Sequence, residues 1–425
     1  MSCLFVSSFC NHLPKRTVPF FLLLLLCAAP VARSQDSVRP SLAGEAASEA
    51  RQQDVARIPY NLMVGPARFR LSASVAVEYN DNINLADVGV EDDVIIRPNV
   101  TLNAIWPVTR LNTLRLDIGF GYAFYLDHSN ANTNGVLLTP NSQISFDIFV
   151  SDFRINVHDR FSLQQDPIQE GALSNVVDYG RFENTAGVSA LWDLNKLLLT
   201  LGYDHYNYVS TVHDFDYLNR NADIVSGTIA FVVNPTTSVG AEGNAVFTYY
   251  DQHVLNDSTD YSVGGFVEAQ ITNNLKLRVA GGYQAINFDH NGLVSDLHDL
   301  SDYYANLLVT HRMNAVISQS VSAGHESQLG VNSNYITLNY VRHTVTWNII
   351  RNTLVSTEFF FEDADESGGF INEHFHRLGG AVSLGYQLTP HVTLGVRYQY
   401  TTKDSDVALR DYNQNRVSVD GTYSF

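Results

Sequence analysis

In the run EHFHR, His374 and His376 stand two apart and share a face if the segment is extended. Two imidazoles at that spacing are the beginning of a transition-metal site. A site needs a third ligand, and none is fixed by the linear order, so no metal and no cofactor is assigned. Polar loop histidines are far commoner than ligands. Nucleophilic chemistry fares no better: serines and histidines are scattered, no Gly-x-Ser-x-Gly elbow appears, and Cys3, Cys10 and Cys27 all fall within the first 34 residues. DHNG (289–292) and DLHDLSD (296–302) lack the ligand spacing of a calcium hand. No catalytic residue is assigned, and the chain reads as a non-enzyme.

The charged residues form a different pattern. In LRLDIGFGYAFYL, from Leu114 to Leu126, every second residue is large and apolar, with Arg115 and Asp117 among those between. Strict alternation marks a strand, and this run is about twice the usual strand length. Phe153–Leu163 and Val392–Tyr400 repeat the pattern. Parity turns Arg68, Arg70, Arg97, Arg115, Arg154, Arg160, Arg397 and Arg416 to the polar face of strands near the two ends of the chain. It turns Asp204, Glu242, Glu268 and Glu358 to the same face elsewhere. Acid facing base across a lumen would set up a transverse field that selects polar solutes. Local pairing that merely keeps the lumen wet is the alternative.

Such strands are separated by two alternating kinds of connection. Short ones include VTRLNT, FVSD, DLNK and LTPH; long acidic ones include QDPIQEGALSNVVDYG and EDADESGGFINE. This is the layout of an up-and-down antiparallel sheet with tight turns at one rim and loops at the other. Eighteen strands are expected, with sixteen as the alternative. Gln319 falls on the apolar face, and the phase changes near Tyr340 and Val341 as a bulge would make it.

Only 16% of residues are charged, and the strands are long, so the apolar face is expected to meet lipid. Trp106, Trp192 and Trp347 fall just before short turns on the apolar parity, where an aromatic girdle belongs. Tyr79, Tyr206, Tyr208, Tyr249, Tyr250, Tyr303 and Tyr304 crowd the opposite ends. The chain ends in RVSVDGTYSF, with Val417, Val419, Tyr423 and Phe425 on one face of a closing strand.

Residues 1–34 read as a secretory signal: Lys15 and Arg16, an apolar run from Val18 to Pro30, then Ala32-Arg33-Ser34 before Gln35. Its loss removes three positive charges and takes the net charge from −18 to −21. Nucleic acid is excluded as a partner on that balance. Residues 35–66 form a short segment, helical within SLAGEAASEARQQDVARI, that lies in the lumen or in the periplasm. It is too short for the plug of an energised transporter. Residues 67–425 form the barrel.

FRLSASVAVEYNDNINL (69–85), with its Tyr-Asn-Asp-Asn run, and the terminal aromatic resemble the barrels of the "beta-barrel porin 2" type. The similarity is specific at Glu78–Leu85 and stylistic over 86–425. The resemblance implies an outer membrane of Gram-negative type, lipid and lipopolysaccharide around the wall, and recognition of the last strand by the barrel assembly machinery. It implies a porin-like channel for small polar or saccharide solutes, and an association with exopolysaccharide export or a scaffold role as the alternative. Homo-oligomerisation is left open.

Overall fold

The computed structural model describes Leu42, residues 45–350 and residues 352–425. The expected signal at 1–34 lies outside the described residues, as does Ser41 at the start of the expected helical run. One helix, α1 (Glu45–Arg57), ends with Arg57 in its last turn, where a cation complements the helix dipole.

Eighteen wall strands follow: β1 (Ala67–Asn80), β2 (Asp93–Pro107), β3 (Thr113–Gly121), β4 (Gln143–Val150), β5 (Phe153–Gln164) and β6 (Arg181–Asp193). Next come β7 (Leu197–Ser210), β8 (Arg220–Asn234), β9 (Thr237–Tyr250), β10 (Ser258–Thr272), β11 (Leu275–Phe288) and β12 (Leu300–Arg312). The last six are β13 (Ile317–Leu329), β14 (Tyr335–Ile350), β15 (Thr353–Glu366), β16 (His374–Gln387), β17 (Val392–Ser405) and β18 (Tyr412–Ser424). Each pairs antiparallel with its neighbours in sequence, and β1 pairs with β18 from Ser72↔Ser424 to Asn80↔Arg416. The sheet is therefore a closed barrel, which leaves no wall edge unpaired.

Alternation sets the two faces. Leu201, Val263 and Val419 are among the most exposed apolar side chains, at 69%, 63% and 54%, and all lie on the outer face. A soluble protein would bury them; a lipid-facing wall displays them. Trp106, Trp192 and Trp347 point outward beside the short turns, and Trp192 stacks on Phe153 at 5.2 Å. Tyr79 at the other rim, and Tyr203, Tyr283, Tyr398 and Tyr400 nearer mid-strand, point outward, each hydroxyl donating to a polar neighbour such as Asp92 or Asn415. Of the tyrosines expected there, Tyr249 and Tyr303 also face outward, whereas Tyr206, Tyr208, Tyr250 and Tyr304 turn inward, one residue out of phase.

The LRLDIGFGYAFYL strand is interrupted rather than continuous: β3 stops at Gly121, and a short strand, Phe124–Tyr125, resumes in the same register against β2. Pro98 of β2 lies opposite the gap and has no N–H to give the ladder, although Tyr122 still donates to its carbonyl.

The expected bulge near Tyr340 and Val341 is absent, because β13 and β14 pair without a shift from Ile317↔Trp347 to Leu329↔Tyr335. Gln319 does face outward, beside His311 and His343, at hydrogen-bonding distances of 3.4 and 3.3 Å. The apparent change of phase has a packing cause: Ile336 and Leu338 point inward and are buried against loops inside the barrel. Register shifts lie instead at Val232/Asn234, Gln270/Thr272 and Asn348/Ile350, all at the short-turn rim.

Candidate functional site

The inward-facing side chains define the lumen. Arg68, Arg70, Arg97, Arg115, Arg154, Arg160, Arg397 and Arg416 all occupy inward positions of the register, as do Asp204, Glu242, Glu268 and Glu358. Several of them form local pairs, the alternative to a transverse field. Arg397 Nη2 lies 2.8 Å from Glu358 Oε2, two strands away, although the two were expected on opposing walls. Arg115 and Arg154 converge on Asp147 at 2.7 and 2.9 Å. Arg278 holds Glu242 at 2.6 Å, and His158 Nε2 meets Asp204 at 2.6 Å. Their acceptors follow from strand geometry: residues one or two strands apart at the same height are neighbours, and linear parity does not reveal height.

Arg70 and Arg160 make no ion pair among the described residues. With Arg68 and Arg115, Arg70 lines a cavity of about 340 Å³ near the short-turn rim, where Asp117 supplies the one carboxylate. Helix α1 sits over this end. Ser48 Oγ donates to the Arg110 carbonyl at 3.1 Å, the Arg51 guanidinium lies 3.8 Å from the Phe149 ring centroid, and Arg68 donates to the Val55 carbonyl at 2.9 Å. On the wall from β8 to β13, a cavity of about 390 Å³ is acidic instead, with Glu242, Asp260 and Glu326 in its lining. Asp260 was missed because DQHVLNDSTD (251–260) reads as a long acidic connection, and Glu326 because alternation is poor in its strand.

The feature that most shapes the lumen is the loop between β5 and β6, residues 165–180. It folds inward. Asp166 caps a single 3-10 turn, Pro167–Gln169, accepting from the Ile168 amide at 3.1 Å, with proline at the favoured first position. Arg416 of β18 then holds Asp166 at 3.0 Å and Glu78 of β1 at 2.9 Å. Arg377 of β16 donates to the Ile168 carbonyl at 2.7 Å. Arg410 donates to the Ala172 carbonyl, and Ser174 Oγ donates back to the Arg410 carbonyl at 2.8 Å. The loop thus reaches from β5 to β16–β18. Burial works against ionisation of Asp166, but Arg416 and Arg97 hold its carboxyl below the usual range. Glu170 is pushed up by burial, against the pull of Arg377, Arg181 and Arg220.

Apolar packing fixes the same loop. Ala172, Leu173 and Tyr179 join Tyr208, Leu218, Leu255, Val294, Val331 and Phe375 in one buried cluster, drawn from five long connections and the inner wall. A second cluster gathers Ala123, Tyr125, Ile83, Ile95 and Ala131. The upper end of the 114–126 face is therefore packed, and only its lower end, at Arg115 and Asp117, borders the cavity. The signal for this was present in the loop itself: Ile168, Ala172, Leu173, Val176, Val177 and Tyr179 are too apolar for a solvated connection.

Beneath the loop, Arg342, Arg377, Glu358, Glu362, Gln399 and Gln169 line a cavity of about 380 Å³. Lys403, fully buried, meets Glu373 at 2.7 Å, and Arg410 meets the same carboxylate at 2.9 Å. A closed wall with an apolar exterior, two aromatic rims and a polar interior narrowed by an inward loop defines a transmembrane β-barrel of the porin class, and its location is the outer membrane.

The family model described as "Putative beta-barrel porin 2" matches residues 63–425, and the chain belongs to that family. No curated protein matches in sequence. Among solved structures the chain is similar to OccK2 (OpdF) of Pseudomonas aeruginosa in complex with glucuronate. That match has 11% identity and a TM-score of 0.50, covering 86% of this chain and 100% of the other. A BenF-like porin from Pseudomonas fluorescens Pf-5 is similar at 10% identity and a TM-score of 0.50, covering 85% and 100%. These likenesses concern the fold.

Proposed function

We propose that the barrel is a passive channel for small polar solutes, with a preference for anions set at its short-turn end. The observation that carries the reading is the cavity lined by Arg68, Arg70, Arg115 and Asp117, in which Arg115 is shared with Asp147 at 2.7 Å while Arg70 makes no ion pair among the described residues. An excess of guanidinium in a confined, partly desolvated space attracts carboxylates and orients them by paired hydrogen bonds. The loop 165–180 sets the passage above it: its Ile168 and Ala172 carbonyls accept from Arg377 and Arg410, and Arg416 holds its Asp166 carboxylate. Solute then moves past a rigid constriction, and no covalent step is required.

The experiment is single-channel recording from residues 35–425 refolded into a planar bilayer under a salt gradient. Stable channels with an anion-selective reversal potential support the reading. Glucuronate, bound in the OccK2 structure, is a suitable probe: it should pass faster than glucuronamide of similar size. Silence from a correctly folded barrel, or cation selectivity, would overturn it.

A further inference from the structure

On the outer wall, the two histidines of EHFHR acquire a third ligand from the neighbouring strand. His374 and His376 point outward at the long-loop end of β16, and Asp363 of β15 lies opposite His376 in the ladder. The two Nε2 atoms are 3.3 Å apart. That equals the distance between two ligands on a tetrahedral zinc ion, about 3.3 Å for bonds of about 2.0–2.1 Å. Asp363 Oδ1 stands 3.7 Å from His374 Nε2 and 3.0 Å from His376 Nδ1. One ligand atom from each of the three residues lies within 4.8 Å of the others.

The surroundings favour a cation between them. Asp365 Oδ1 is 2.6 Å from His374 Nδ1, so with Nδ1–H donating to the carboxylate the Nε2 lone pair faces His376. Asp363 Oδ1 is shielded from solvent, and although both imidazoles lie close, it accepts no hydrogen bond of good geometry among the described residues; a cation would satisfy it. Asp404 stands beside His376 on β17, and Asp406 accepts from the His374 amide at 2.9 Å. Four carboxylates around two imidazoles make a local field that attracts a dication. Two imidazoles disfavour calcium and magnesium, which take oxygen ligands. Phe361 and Leu378 lie next on the same face and are exposed to lipid, so the cluster sits where hydrocarbon gives way to headgroups.

We propose that Asp363, His374 and His376 bind a divalent transition-metal ion, zinc by ligand type, with a fourth position open to water. The ion ties β15 to β16 at the base of the 367–373 loop, whose Glu373 anchors Lys403 and Arg410.

The test uses the untagged protein, refolded and freed of metal, titrated with Zn²⁺ by calorimetry and with Co²⁺ by visible absorption. The expected result is one Zn²⁺ per chain and the intense bands of tetrahedral Co²⁺, displaced by Zn²⁺. His374→Ala, His376→Ala and Asp363→Asn should each abolish the bands, while Asp365→Asn should weaken affinity by about 10- to 100-fold. Folding of each variant is checked by its heat-dependent gel mobility. The proposal falls if the folded wild type takes up no metal. It also falls if a folded His374→Ala/His376→Ala double variant binds as the wild type does, since the uptake then belongs to other histidines.

Discussion

Arg416 on the last strand grips Asp166 in the β5–β6 loop at 3.0 Å while holding Glu78 on the first strand at 2.9 Å. One guanidinium thus fixes the constriction and crosses the barrel seam. A bidentate cation of this kind is stronger than two separate contacts, because its planar fork is already arranged for both.

Replacing Asp166 by Asn should release that end of the loop without opening the seam, because Glu78 still holds Arg416. Single-channel traces should show larger and noisier conductance, and stability should fall by about 1–3 kcal/mol for a lost charge-assisted bond. An unchanged trace would show that the apolar cluster alone pins the loop.

The same contact has a defined acid dependence. The Asp166 carboxyl is held below its ordinary value, so its stabilising contribution is present above the unfolded value, about 3.9. It is lost as pH falls through the depressed folded value. Conductance noise should therefore rise only below about pH 4. The Asp166→Asn channel should lack this transition.

Arg70→Gln should shift the reversal potential toward cation selectivity, because Arg70 has no acidic partner to neutralise it among the described residues. Arg397→Gln should act differently. It leaves Glu358 without its 2.8 Å partner, so it should shift selectivity in the same direction while also disturbing the cavity beneath the loop. Equal reversal potentials in Arg70→Gln and wild type would remove the basic cavity as the selective element.

Removing residues 45–57 should raise conductance, since Ser48, Arg51 and Val55 dock α1 against the short-turn end of the wall. The barrel itself should keep its heat-dependent gel mobility. No change in conductance would mean that ions already pass freely around the helix.

Glu373→Gln should destabilise the barrel by about 3–5 kcal/mol, the usual cost of breaking a buried pair. Both Lys403 and Glu373 are fully buried, and their contact is 2.7 Å. The temperature at which gel mobility changes should fall. Lys403→Met should cost less than Glu373→Gln, because Arg410 still holds the Glu373 carboxylate at 2.9 Å, which separates the stranded charge from mere loss of packing.

The wall was readable in the sequence because each of its faces meets a different solvent, and side-chain parity records that directly. Trp106, Trp192 and Trp347 were placed by parity and by distance from a turn, two properties that are local. Arg397 and Glu358 show what parity omits: both face inward, but their contact depends on strand stagger, which no single strand carries. Ile336 and Leu338 misled the reading of β14 because they answer to loops inside the barrel, not to lipid outside. His374 and His376 were visible as a pair, while Asp363 became their neighbour only through the β15–β16 register.

The closure of β1 on β18 also has a consequence in time. Glu78 and Arg416 are 338 positions apart along the chain, so their meeting costs more loop entropy than any hairpin in the wall. Hairpins can form early and in any order, whereas this contact waits for both ends of the chain. Until then two strands remain open to pairing with another molecule, and the last step to complete should also be the first place where the finished wall gives way.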